Sequence, residues 1–195
     1  MKNPIEVSAA IETKEFEKEI IEKKTLFDYF AIALSTFGVG FIPLAPGTWG
    51  SAVGVLIFLF IRELETNFFA DFLLVEQSRA FVYALNAILL LAFCLLGIWA
   101  STRATEILRE KDPQKVVVDE IMGQLIVFFF VPLMISWKLI LAAFLLFRLF
   151  DILKPYPIRT LEILPEGLGV CADDIVAGIY GGICLAIIYA VSLNV

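Results

Sequence analysis

The chain has 195 residues, 60% hydrophobic and 18% charged, with a mean hydropathy of +0.89 and a formal net charge of -6. Soluble domains are roughly half apolar and a quarter charged, so water is not the main solvent here, and the length allows one membrane domain without a second globular one. Histidine is absent, which excludes imidazole bases, phosphohistidine and histidine metal ligands, and no basic block points to nucleic acid.

Residues 1–26 form a charged tail, expected as an interfacial helix with a disordered start. Phe16, Ile20 and Phe27 share one helical face while Lys14, Lys18 and Lys23 face water. Alternating Lys and Glu stand where a secretory signal has its apolar region, so the tail is expected to stay in the mature protein. Residues 27–195 form the membrane-embedded domain. Residues 29–61 carry no charge in 33 positions, yet Gly38, Gly40, Pro43, Pro46 and Gly47 interrupt them. A broken or re-entrant first segment is therefore expected, with the break near residues 43–47 and a first span over 48–61. A mixed-charge loop over 62–79 follows, then a span over 80–100, 21 residues without a charge. Residues 101–118 are polar but rich in helix formers. Two shorter spans, 121–135 and 138–150, hinge around Ser136 and Trp137. A Gly/Pro-containing loop, 155–172, leads to the last span from Asp173 onward. The expected fold is all-α, a polytopic integral membrane helical bundle with four to five spans plus the broken first segment. Cys94, Cys171 and Cys184 form no CxxC pair and read as small packing residues.

Basic residues orient the bundle. Only Arg62 and Arg79 lie in the 62–79 loop, against Arg103, Arg109, Lys111 and Lys115 in the 101–118 segment and five lysines in the tail. The positive-inside rule puts the tail and the second segment in the cytoplasm. With a re-entrant first segment, every polar cluster then falls on the cytoplasmic face.

Four clusters carry chemistry. Gly47, Thr48, Gly50 and Ser51 open a helix after Pro46; this suits phosphate at a helix N-terminus, but taken alone the motif reads first as a Thr48 or Ser51 N-cap with a Gly50/Gly54 packing face. Asp119-Glu120 begins an apolar helix, where capping competes with metal binding. Asp173-Asp174 repeats the arrangement, and oxygen-rich pairs without His or Cys suit Mg²⁺ together with a substrate phosphate. Arg148, Asp151 and Lys154 lie three residues apart on one helical face before Pro155. Ionisable groups so close to the bilayer mark function by default, the alternative being a structural Arg148–Asp151 pair. Together they describe a site for a phosphorylated substrate beside the membrane.

The runs GFIPLAPGTWGS (residues 40–51), VDE (118–120), FRLFDILKPYPI (147–158) and DDIVAG (173–178) resemble, in order, the motifs of the phosphatidylglycerophosphatase A family, with the match extending over about residues 37–180. The resemblance implies a Mg²⁺-dependent enzyme of the bacterial cytoplasmic membrane that removes the terminal phosphate of phosphatidylglycerophosphate, its acyl chains staying among the membrane lipids. It implies that Thr48, Asp119, Glu120, Arg148, Asp151, Lys154, Asp173 and Asp174 belong to the site. On this reading Asp119, Glu120, Asp173 and Asp174 are the candidate metal ligands. Gly47, Thr48, Gly50, Ser51, Arg148 and Lys154 meet the phosphate, and Asp151 and Asp174 are catalytic. Attack by activated water is the first choice, with an aspartyl-phosphate on Asp151 or Asp174 as the alternative. The competing function is a small transporter with charges lining a solute path; its charges belong near mid-membrane, whereas these sit at span ends.

Overall fold

The computed structural model describes residues 25–68, 76–111, 113–132, 134–161 and 163–193. The helix expected in the charged tail lies outside these residues. The described chain is helical, without strands: α1 (Leu26–Thr36), a 3-10 turn (Val39–Phe41), α2 (Pro46–Phe68), α3 (Glu76–Leu108), α4 (Val118–Phe129), α5 (Trp137–Leu153), α6 (Ile158–Leu161) and α7 (Glu166–Ser192). Three of these have segments long and apolar enough to cross a membrane: Pro46–Asn67, Arg79–Leu108 and Gly167–Ser192. Side chains such as Ile88, Leu91 and Leu95 of α3 are more than half exposed. That is the outward face expected where lipid rather than water is the solvent.

The first segment is re-entrant. A capping box starts α1, with Thr25 N donating to Asp28 Oδ2 at 2.8 Å and Asp28 N to Thr25 Oγ1 at 3.3 Å. Asp28 meets Arg103, the Phe30 ring lies 6.2 Å from that of Trp99, and the Phe37 ring 6.3 Å from that of Phe93. So α1 runs antiparallel to the last turns of α3. Eleven residues of helix span about 16 Å, half of a hydrocarbon core about 30 Å thick. The chain then reverses at Phe37 (φ 46°) and Gly38 (φ 71°). Gly40 follows with its backbone so close to the Lys115 carbonyl that a Cβ has no space. Trp49 Nε1 donates to the Leu44 carbonyl at 3.0 Å, closing the turn that launches α2.

The central helix is α4, buried on nearly every side and packed most extensively against α7 and α2. Small residues permit this. A Cβ on Gly178 would lie 2.5 Å from the Gly123 carbonyl oxygen, and one on Gly54 2.8 Å from Gln124 Cβ. Deeper in the bundle Phe58 of α2 stacks on Phe128 of α4, with ring centroids 3.9 Å apart. Among the described residues the three cysteines are free; buried Cys171 Sγ donates to Ser101 Oγ, joining α7 to α3.

Several expected boundaries shift, and the span expected over 121–135 is the shorter helix α4, which ends at Phe129. Residues 62–68, expected as loop, continue α2, because no Gly or Pro interrupts them and Asn67 Nδ2 donates to Glu63 Oε1 one turn back. The polar 101–108 stretch is the end of α3, one helix of 33 residues, stopped at Arg109 by a left-handed residue (φ 56°). Helix α7 starts at Glu166, just after Pro165, rather than at Asp173. The acid pair 173–174 therefore sits two turns inside the helix, and stabilisation by a helix start, invoked for both acid pairs, applies only to Asp119-Glu120.

Candidate active site

The start of α4, the end of α5 and the early turns of α7 converge at one end of the bundle around a cavity of about 510 Å³. Asp119, Glu120 and Asp174 each bring a carboxylate oxygen to within 4.8 Å of the other two. Contact between Gly123 and Gly178 enforces this convergence: the two backbones touch, so residues about one turn earlier on each helix face each other. Asp119 is 7% exposed and Asp174 4%. Asp119 Oδ1 accepts from the Glu120 backbone N–H at 3.1 Å. Glu120 Oε2 and Asp174 Oδ1 are buried without a hydrogen-bond partner, an arrangement that native interiors rarely tolerate. Charges this close repel by about 3 kcal/mol per pair at an effective dielectric near 20. The trio could hold a cation, and three oxygen donors without nitrogen or sulfur suit a small hard one.

Two ion pairs flank the trio. Arg148 Nη1 donates to Asp151 Oδ2 at 2.5 Å within the last turns of α5. Lys154, the left-handed residue that ends α5 (φ 44°), donates through Nζ to Asp173 Oδ2 at 2.6 Å on α7. Asp173 Oδ1 is another buried oxygen without a partner. The loop behind Lys154 is fastened to α7 by Tyr180, whose hydroxyl donates to the Tyr156 carbonyl at 3.2 Å and whose ring meets that of Phe150 edge-on. Asp151, Lys154 and Asp173 line the same cavity as the trio.

The helix start at 47–51 divides. Gly47 lies against the Glu120 carboxylate and Arg148 Nη1. Gly50 packs on Val117, and Ser51 is fully buried, with its Oγ donating to the Gly47 carbonyl at 2.9 Å. Thr48 is exposed and does not line the cavity. Conversely, Lys111 and Arg159, which belong to none of the four sequence motifs, line it. Their only signal was positive charge near phosphate-handling motifs.

Fold and site together define a helical membrane protein with a polar cavity suited to a phosphorylated headgroup. Residues 32–189 match the phosphatidylglycerophosphatase A family. A Haemophilus influenzae protein named phosphatidylglycerophosphatase A is 35% identical over 84% of this chain and 91% of its own length, and its Escherichia coli namesake 27% identical over 73% of each. A Bacteroides thetaiotaomicron protein with the provisional name phosphatidylinositol-3-phosphatase is 38% identical over 77% of this chain and 87% of its own. No solved structure matches the chain significantly. The chain belongs to the phosphatidylglycerophosphatase A family, and with that it is a phosphatase of phospholipid metabolism.

Proposed function

We propose that the protein hydrolyses phosphatidylglycerophosphate to phosphatidylglycerol and inorganic phosphate, with Mg²⁺, at the cytoplasmic face of the bacterial inner membrane. The observation that carries this reading is the approach of Asp119, Glu120 and Asp174 in a cavity that also holds Lys154 and Asp151. Those three acids would hold the metal, the unpartnered oxygens of Glu120 and Asp174 being its natural ligands. When bound, the ion supplies positive charge against the phosphate and polarises its P–O bond.

The remaining steps belong to the chain's own side chains. Lys154, held in place by Asp173, donates to the non-bridging phosphate oxygens. Arg148 does the same from the other side, oriented by Asp151 Oδ2, and Gly47 leaves room for that approach. With Oδ2 engaged, Asp151 Oδ1 accepts a proton as water oxygen bonds to phosphorus; the ester P–O bond breaks, and the leaving glycerol oxygen takes a proton from solvent. Such phosphoryl transfers gain mostly from positioning and charge stabilisation. Lys111 and Arg159, which also line the cavity, are the cations left for the phosphodiester that joins the headgroup to its lipid. Phosphate release from phosphatidylglycerophosphate by purified protein tests the reading, with Mg²⁺ or EDTA and with a folded Asp174→Asn variant. Release that needs both Mg²⁺ and Asp174 supports it. Faster release from phosphatidylinositol 3-phosphate, the substrate class in the Bacteroides relative's name, would move the assignment to that lipid.

A further inference from the structure

A second cavity, of about 230 Å³, lies between the last turns of α2, the first turns of α3 and the connection from α4 to α5. From Gly47, beside the acid trio, to Glu65 is 18 residues of helix, a rise of about 27 Å, close to the thickness of a hydrocarbon core. The cavity thus opens at the membrane boundary opposite the site described above. Glu65 is 7% exposed; its Oε1 accepts from Asn86 Nδ2 at 2.8 Å, while its Oε2 is buried with no hydrogen-bond partner. Two guanidinium groups share the cavity without pairing with it. Among the described residues, Arg62 reaches only the Ile135 carbonyl, at 3.4 Å, and Arg79 makes no ion pair. Val82, Pro132 and Met134 supply apolar wall.

A buried carboxylate oxygen beside cations that it does not engage is costly in a low dielectric unless a ligand completes the set. The ligand must present a hydrogen-bonding cation to Glu65 and an anion to Arg62 and Arg79, on a body that tolerates apolar wall. We propose that this cavity binds the headgroup of an ethanolamine phospholipid from the leaflet opposite the catalytic cavity. The primary ammonium donates to Glu65 Oε2, and the phosphodiester meets the two arginines. The glycerol end lies along Val82 and Met134. A choline headgroup has no N–H to give, and a glycerol headgroup has no cation.

Native mass spectrometry of the full chain in detergent tests this, using lipids of identical acyl chains whose headgroup nitrogen carries none, one, two or three methyl groups, together with phosphatidylglycerol. One ethanolamine lipid per chain is expected, with affinity about tenfold above the choline and glycerol lipids, the increment of one charge-assisted hydrogen bond. Glu65→Gln should erase the preference between the ammonium and trimethylammonium lipids, and the exposed Arg79→Ala should weaken binding of both. Phosphate release in detergent is expected to stay within about twofold for Arg79→Ala. Equal retention of all headgroups, a preference that survives Glu65→Gln, or equal competition by soluble glycerophosphoethanolamine would each overturn the proposal. If Glu65→Gln does not fold, the methylation series and Arg79→Ala still decide it.

Discussion

Of the two ion pairs at the site, Arg148–Asp151 forms within α5, whereas Lys154 draws its partner from another helix. Lys154 at the end of α5 is positioned by Asp173 of α7, 19 residues on. Replacing Asp173 by Asn should therefore lower kcat by weakening the hold on Lys154, while Lys154→Ala should cost about 10²- to 10³-fold in kcat, the usual loss for one transition-state donor. Steady-state kinetics on the purified variants check both, and a Lys154→Arg variant that restores part of the rate would separate charge from shape. Gly47→Ala is informative in another way. The new methyl group meets the mobile ends of Glu120 and Arg148 rather than backbone, so activity should fall while the thermal unfolding midpoint moves little.

Away from the site, Asp28 tests the anchoring of α1. The hydrogen bond from Arg103, followed by that from the Thr25 backbone, holds its carboxyl below the ordinary value of 3.8. A depressed carboxylate pKa stabilises the fold fully above the unfolded value, and that contribution is lost as pH falls through the lower folded value. The difference in unfolding midpoint between the parent chain and Asp28→Asn should be constant above about pH 5 and shrink on acidification below 3.8. A difference that holds constant down to pH 3 would mean that the ion pair does not anchor α1.

At the scale of elements, the crossing of α4 and α7 decides the site. A side chain at Gly178 would strike the Gly123 backbone, and backbone cannot yield as a flexible side-chain end does. Gly178→Val should lower stability by about 1–3 kcal/mol, the usual cost of overpacking. It should also separate the carboxylates, so that the Mg²⁺ concentration for half-maximal activity rises in the protein that still folds. Unfolding and metal titrations on the same sample read the two effects apart. The re-entrant α1 has a comparable constraint at Gly40, against the Lys115 carbonyl. That contact ties the first segment to the chain leading into α4, together with the bond from Val117 N–H to the Ser35 carbonyl, 2.9 Å.

For the whole molecule, orientation is the open quantity with a direct measurement. Positive charge gathers at the catalytic end, where Arg103, Arg109, Lys111, Lys115 and Arg159 lie, against Arg62, Arg79 and Lys138 at the other. By the positive-inside rule a cysteine at Glu110 should react with an impermeant maleimide only from the cytoplasmic side, and one at Asn67 only from the opposite side. Reversed labelling would place phosphate release outside the cell.

Much of this was legible along the chain. Long uncharged stretches identify the membrane as solvent, because removing apolar surface from water dominates every local preference. Gly38, Gly40, Pro43 and Pro46 mark the broken first segment through backbone sterics alone. The charges stand out against apolar neighbours, so Asp119, Glu120, Arg148, Asp151, Lys154, Asp173 and Asp174 were readable as a set. What only the tertiary structure decided is which of them meet. The 4.8 Å grouping of Asp119, Glu120 and Asp174 depends on two helices touching at glycines 55 residues apart (178 − 123). The start of α7 seven residues before Asp173 (173 − 166), the inward turn of Ser51 and the arrival of Lys111 and Arg159 at the cavity likewise follow from packing between distant segments. Local sequence fixes dihedral preference and burial, whereas the distance between side chains on separate helices is set by how closely their backbones can approach.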